Sequence, residues 1–245
     1  MASKYFWELV YRVIKESDVV LEVLDARLID ETRNVNIERI IAKENKKLIH
    51  VVNKIDLADK ELVQQKLKEL TNPVFVSTKE RLGTTILKRR ILEIAGREEV
   101  VVGVVGYPNT GKSSVINAIT GKKRARTSST SGFTRGIQKV RASKRIMLLD
   151  TPGVIPMDDQ DVIKHCLIGS KNPQQVKEPD FVAVYLIKTL HGRVERHYGV
   201  EVGEDAEETL EKITRKMNRF RKGGIPDIDS ASRTIIMEWQ RGIIK

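Results

Sequence analysis

Several absences narrow the 245-residue sequence before any motif is read. Cys166 is the single cysteine and the four histidines are scattered, which excludes a disulfide framework and a Cys/His zinc site and leaves Cys166 as a small core residue. No apolar run approaches the roughly 20 residues of a membrane helix. Val100–Val105 is strand-length, and Met1–Glu8 lacks the unbroken apolar stretch of a signal peptide, so no membrane partner and a cytoplasmic location are expected. Internal repeats and low-complexity tracts are missing as well. Carboxylates vanish between Glu99 and Asp150, where Lys112, Lys122, Lys123, Arg124, Arg126, Arg135, Lys139, Arg141, Lys144 and Arg145 all lie. Residues 156–245 hold fifteen basic and fifteen acidic side chains, so the net charge of +11 belongs entirely to residues 1–155. Such a field attracts polyanions, RNA among them, although a solvated surface loop has the same composition.

What is present alternates. Glu8–Lys15 has helical character, and Asp18–Leu24 reads as a buried strand ending at Asp25, with a helix after it. Strands at Lys47–Val52, Pro73–Ser77 and Glu99–Gly106 alternate with helical stretches at Lys60–Leu70 and Thr84–Ala95, the rhythm of parallel βαβ units. Two more strands, Ile137–Ala142 and Ile146–Asp150, complete an α/β domain with a mostly parallel sheet of about six strands, spanning residues 1–157. Ahead of them, Lys123–Gly136 has almost no apolar side chain and should order only on a ligand. Residues 158–245 read as a small all-α domain. Its expected stripes are Phe181, Val184 and Tyr185; Leu210, Ile213, Met217 and Phe220; then Ala231, Ile235 and Trp239, with Asp229 or Ser230 capping the last helix.

Three motifs carry chemistry. Gly106-Tyr107-Pro108-Asn109-Thr110-Gly111-Lys112-Ser113 fits G-x-x-x-x-G-K-[ST], whose glycines turn successive backbone N–H groups toward phosphate. Lys112 neutralises the outer phosphates, Ser113 is an Mg²⁺ ligand, and Thr110, Gly111 and Ser114 complete the loop and the helix start. Asn53-Lys54-Ile55-Asp56 follows the apolar run Leu48–Val52, which places it at the carboxyl end of a strand. Guanine offers two adjacent donors that a carboxylate accepts in parallel, so Asp56 selects GTP and GDP and disfavours an ATP-using enzyme. Asn53 bonds the base edge and the loop, Lys54 lays its stem along the ring, and Ser77-Thr78-Lys79 supplies a backbone N–H to the guanine carbonyl. Asp150-Thr151-Pro152-Gly153 provides Asp150 for Mg²⁺ through water and the Gly153 N–H for the terminal phosphate. Thr134 is the candidate switch residue for Mg²⁺, with an ordinary loop threonine as the plain alternative. Val154 stands where many GTPases carry a water-orienting glutamine, so slow unassisted turnover is expected. Asn109 is a candidate K⁺ ligand or a residue bonding within its own loop.

The order of these motifs inverts the usual GTPase layout, and the chain resembles the circularly permuted ribosome-assembly GTPases of the YlqF/YawG type. Asp25-Ala26-Arg27 with Arg33-Asn34, and Lys222-Gly223-Gly224-Ile225-Pro226-Asp227 followed by Ala231 and Arg241-Gly242, also resemble that family. The resemblance implies a GTP-driven role in maturing the large ribosomal subunit, with rRNA or ribosomal protein as partner. There are two departures. The family often carries Pro-Gly-His-Met, with a histidine implicated in hydrolysis, ahead of the first helix, whereas no histidine precedes His50 here. Its Asp-Ala-Arg segment usually has a proline where this chain has Leu28-Ile29. Two readings follow: an enzyme whose GTP cycle times its stay on a preribosome, or a GTP-dependent regulator or RNA-binding scaffold that hydrolyses negligibly until a partner acts. The chain is expected to be a monomer, with the segment after Asp150 able to convey nucleotide state to the helical domain. A helix over Thr209–Arg221 would present Lys212, Arg215, Lys216, Arg219 and nearby Lys222 to RNA, although the helix dipole alone favours such cations at that end.

Overall fold

The apolar run beginning at Val19 becomes β1 (Val19–Asp25), buried along its whole length. It lies inside a six-stranded sheet of order β3-β2-β1-β4-β6-β5. The other strands are β2 (Lys47–Asn53), β3 (Val74–Phe75), β4 (Val100–Val105), β5 (Gln138–Arg141) and β6 (Ile146–Asp150). All neighbours pair in parallel except β5, which runs antiparallel along β6 at the edge. The computed structural model describes residues 2–121, 137–153, 155, 161–190 and 192–244, in two compact units, Met1–Gln160 and Asp161–Lys245. Thr134, with the whole basic stretch from Lys122 to Gly136, and Val154 lie outside the described residues.

In the first unit, period-two alternation sends β1 side chains to both faces. Val19, Leu21 and Val23 join Leu87 and Ile91 of a helix over Thr84–Ala95 and Val115, Ile116 and Ile119 of another over Lys112–Thr120. Val20 packs instead with Val10 and Ile14 of α1 (Ala2–Glu16) and with Ile37 and Ile41 of a helix over Val35–Lys43. With the short turn α2 (Ile29–Thr32) and α4 (Lys60–Lys66), these helices are α3 (Val35–Lys43), α5 (Thr84–Ala95) and α6 (Lys112–Thr120). Helices on both faces make β1 and β4 doubly buried and apolar.

Glu22 is the exception in β1. It is fully buried, and its Oε1 accepts the Asn34 N–H at 2.7 Å. His50 Nε2 meets Glu22 Oε2 at 3.2 Å and lies 3.4 Å from Glu38, while the Thr71 N–H donates to His50 Nδ1 at 2.8 Å. These three side chains bring their donor atoms within 4.8 Å of one another, a spacing a metal could use. The Thr71 bond nevertheless fixes Nδ1 as an acceptor and puts the ring proton on Nε2, facing both carboxylates. The cluster is therefore a hydrogen-bonded strut tying α3 to β1 and β2.

The second unit is helical, with α7 (Val162–Leu167), α8 (Pro179–Thr189), α9 (Arg193–Tyr198), α10 (Ala206–Lys216) and α11 (Ile228–Gln240). Leu210, Ile213, Ala231, Ile235 and Trp239 are buried, and Cys166 is a fully buried thiol. Three expectations are corrected here. On α8 the buried positions are Val182, Ala183, Leu186 and Ile187, while Phe181 and Tyr185 face out, because an apolar helix carries more than one stripe and the eye chose the aromatic one. α10 stops at Lys216, not near Arg221: Met217 caps it and Asn218 takes a left-handed φ of 55°, so Phe220 leaves the core and is exposed. The cap of α11 is Asp227, accepting from the Ser230 N–H, whereas Asp229 pairs with Arg233. Among the described residues no helix is long and apolar enough to cross a membrane.

Candidate nucleotide site

Strand order reverses between β1 and β4, the point at which open parallel sheets bind ligands beyond their carboxyl ends. Asp25, Asn53 and Asp150 end β1, β2 and β6, and Gly106 follows β4, so parallel pairing brings all four to one edge. The register sets Asp25 directly beside Asn53.

Asn53 joins two loops. Its Nδ2 donates to the Thr110 carbonyl at 2.9 Å, and its Oδ1 accepts the Thr78 N–H at 3.4 Å. Gly111, with φ of 96°, permits this: a Cβ there would lie 2.2 Å from Asn53 Nδ2. Lys54, itself left-handed at φ 66°, donates from Nζ to the Asn109 carbonyl at 2.8 Å and to Asp25 Oδ2 at 2.7 Å. Asp25 is gripped from its other side by Arg27, through Nε at 3.0 Å and Nη2 at 2.8 Å. Burial alone would raise the Asp25 carboxyl, yet Lys54 and Arg27 outweigh it and hold it far below the usual carboxylate range. Burial lowers Lys54, against the opposing pull of Asp25.

Asp56 is positioned by Ser77, whose Oγ donates to Asp56 Oδ1 at 2.6 Å while accepting the Glu80 N–H at 3.1 Å. The second bond directs the hydroxyl proton at Asp56, and Asp56 Oδ2 meets no donor among the described residues. Thr78 is half-buried, and Lys79 is exposed and joins none of these bonds.

On the phosphate side α6 starts at Lys112, with Ser113 and Ser114 half-buried in its first turn. Lys112 is 6% exposed and donates to the Tyr107 carbonyl at 2.7 Å; burial lowers its pKa to about 8, with Asp150 opposing the shift. Thr110 Oγ1 donates to the same carbonyl at 3.0 Å. Ser113 Oγ donates to Asp150 Oδ2 at 3.2 Å, and burial raises the Asp150 carboxyl. Asp150 Oδ1 is buried with no partner among the described residues, a costly state for a carboxylate oxygen unless a cation or water reaches it. Gly153 packs so closely that a Cβ would lie 2.7 Å from Pro108 and 2.9 Å from Lys112 Nζ, which brings its backbone beside the ammonium. The expected base-side and phosphate-side residues thus converge on one edge, Lys79 excepted. What the motif reading did not assign was a role for Asp25 and Arg27. The available signal was that Asp25, like Asn53 and Asp150, ends an apolar run and must therefore reach the same edge.

This edge, with its phosphate loop, Asn-Lys-x-Asp and Asp-x-x-Gly in rotated order on a doubly wound sheet, defines a circularly permuted G domain. Residues 101–221 match the family described as 50S ribosome-binding GTPase. That stretch begins in β4 and omits β1 and β2, as expected when the guanine motif has moved to the front. In motif order and in fold the chain resembles the circularly permuted GTPases of the YlqF/YawG type. It is 43% identical to an uncharacterized GTP-binding protein of Methanocaldococcus jannaschii, over 96% of this chain and 65% of that protein. It is 36% identical to Nucleolar GTP-binding protein 2 of Yarrowia lipolytica, over 99% of this chain and 50% of that one. The chain therefore spans only about half to two thirds of the length of these relatives. In fold it resembles YlqF from T. maritima, solved with GDP and with GNP, with TM-scores of 0.67 and 0.66 at 24% and 23% identity. The two alignments cover 95% and 96% of this chain and 94% and 93% of those chains.

Proposed function

We propose that the protein binds and hydrolyses GTP and that its nucleotide state governs binding to a ribosomal particle, most directly the large subunit. The observation that carries the nucleotide part is the convergence of Asp56, Asn53, Lys54, Lys112, Ser113 and Asp150 on one sheet edge. Asp56 accepts from the guanine edge through the oxygen that Ser77 leaves unused. The Thr78 amide region faces the guanine carbonyl, and Lys54 lies under the base while tying the phosphate loop to Asp25. Lys112 and the amides of Thr110–Ser114 hold the phosphates, and the Gly153 N–H approaches the terminal one.

The site suits Mg²⁺, since Asp150 Oδ1 is buried beside Ser113 without a partner among the described residues. Bound there, the ion supplies charge neutralisation for the phosphates. Thr134 is its switch ligand in this reading. Asn109, held at φ 60° in the phosphate loop, is the candidate for K⁺. Two things support the ribosomal partner: the description of the matching family and the excess of positive charge in residues 1–155. Of the second unit's cations that the sequence offers to RNA, Lys216, Arg219 and Lys222 are the candidate contacts, since Lys212 and Arg215 pair with Glu208 and Glu211 on α10. A cytoplasmic monomer is the working state.

Val154 after Asp150-Thr151-Pro152-Gly153 favours a second reading, a GTP-dependent regulator with negligible turnover until a partner supplies the water-orienting group. One experiment separates them: GTP turnover in K⁺ and in Na⁺, each with and without large ribosomal subunits. Turnover without subunits supports the first reading, and turnover only with them supports the second. None under any condition contradicts both.

A further inference from the structure

We propose that the hairpin over residues 219–227, rather than the exposed face of α10, is the RNA-reading element of the second unit, and that it takes unpaired RNA. This rests on the reading that the partner contains RNA. On α10, Lys212 holds Glu208 at 2.8 Å and Arg215 holds Glu211 at 2.6 Å, each one helical turn back. These cations already have local counterions, the arrangement that i,i+4 spacing gives any surface helix.

Beyond Asn218 the arrangement changes. The Asp227 N–H donates to the Arg219 carbonyl at 3.0 Å, the Arg221 N–H to the Ile225 carbonyl at 2.8 Å, and the Gly224 N–H to the Arg221 carbonyl at 3.2 Å. Phe220 and Pro226 face one another as an antiparallel pair. Gly223, at φ 87°, fills the third position of the turn, where a positive φ is required. The result is a backbone-bonded ribbon in which every residue from Asn218 to Ile225 is exposed.

Two features of this ribbon do nothing for the fold. Phe220 is 44% exposed and Ile225 61%, on adjacent positions of opposite strands. Asp227 takes Arg221, but Lys216, Arg219 and Lys222 meet no carboxylate among the described residues, and no acidic residue occurs from Lys212 to Pro226. Uncompensated cations flanking an exposed aromatic ring fit a nucleic acid whose bases are available for stacking. A regular duplex hides its base faces and would use the cations while leaving Phe220 idle. Bases therefore rest on Phe220, and phosphates meet Arg219 and Lys222.

The test uses the full chain and two labelled RNA probes of matched length, a stem-loop with an unpaired loop and a blunt duplex, read by fluorescence anisotropy over a salt series. The stem-loop should bind more tightly. Phe220→Ala should weaken stem-loop binding about tenfold while leaving duplex binding and the salt slope unchanged. Arg219→Gln with Lys222→Gln should lower the log–log salt slope by about 1.4, and Lys212→Gln with Arg215→Gln should change neither. All these side chains are exposed, so circular dichroism and GTP affinity should stay constant. Equal affinity for the two probes, or an unchanged Phe220→Ala variant, overturns the proposal. So does loss of ribosomal-particle binding in the hairpin variants with naked-RNA binding intact, which would point to an acidic protein surface. Co-sedimentation of the wild-type chain with large subunits is scored separately: its absence contradicts the ribosomal reading itself.

Discussion

The two units handle charge in opposite ways. At the carboxyl edge of the sheet, Asp25, Lys54, Lys112 and Asp150 are removed from water and each ionic group faces named partners. In the helical unit Glu195 of α9 is buried, but the charges of α10 and of the hairpin after it stay at the surface, paired one turn apart or left uncompensated. A buried charge is expensive to leave alone, so its presence marks a site that a partner completes or a network that locks a loop. An exposed pair contributes little to stability. In the first unit charge therefore builds the site, and in the second it is available to whatever arrives.

The sharpest break in that contrast is Asp25→Ala. It removes the carboxylate that Arg27 and Lys54 share, and breaking a buried pair typically costs about 3–5 kcal/mol. Chemical denaturation should show a loss of that size, together with weakened GTP binding because Lys54 loses its hold beneath the phosphate loop. Stability equal to wild type would mean that the Asp25 network is incidental.

The same network has a pH signature. Asp25, and in the separate His50 cluster Glu38, held at about 2 by His50 and Arg33, both titrate below their unfolded values, so their contribution is complete at neutral pH. It is lost as pH falls from about 4, the unfolded carboxylate range, toward 2. Acid unfolding of Asp25→Asn should lack part of this pH dependence; an identical profile for the variant would remove Asp25 from the account.

Lys112 gives a smaller effect of opposite sense. Its pKa of about 8 in the free site should rise when phosphates pair with it, so binding takes up a proton once the pH exceeds about 8. Nucleotide affinity should then weaken with increasing pH, by at most about tenfold per unit, and Lys112→Met should bind weakly with no such dependence. Affinity flat from neutral pH to pH 9 would contradict the buried ammonium. At the far end, removing the exposed cation Lys212 should leave the thermal midpoint within error, and a clear drop would contradict the division between the units.

These contrasts also explain what the sequence made legible. The strands and the edge were readable because apolar runs of strand length end in polar residues whose spacing only a phosphate or base site uses. The network around Asp25 was not, because it depends on a parallel register that sets Asp25 beside Asn53 across 27 intervening positions. In the helical unit the signal was weaker. α8 is apolar on more than one side, so its core stripe falls on Val182 and Leu186 rather than on Phe181 and Tyr185. The end of α10 turns on a single left-handed asparagine, Asn218, which the continuing run of cations conceals.

The central claim, one guanine-nucleotide site assembled from permuted motifs, is tested most directly by Asp56→Asn with GTP and xanthosine triphosphate measured side by side. The Asp56 carboxylate accepts a single hydrogen bond among the described residues, from Ser77, so the fold should persist by circular dichroism. GTP affinity should fall and xanthosine triphosphate affinity should rise, because the asparagine amide offers a donor where xanthine now presents an acceptor. A folded variant whose preference between the two nucleotides is unchanged would contradict the assignment.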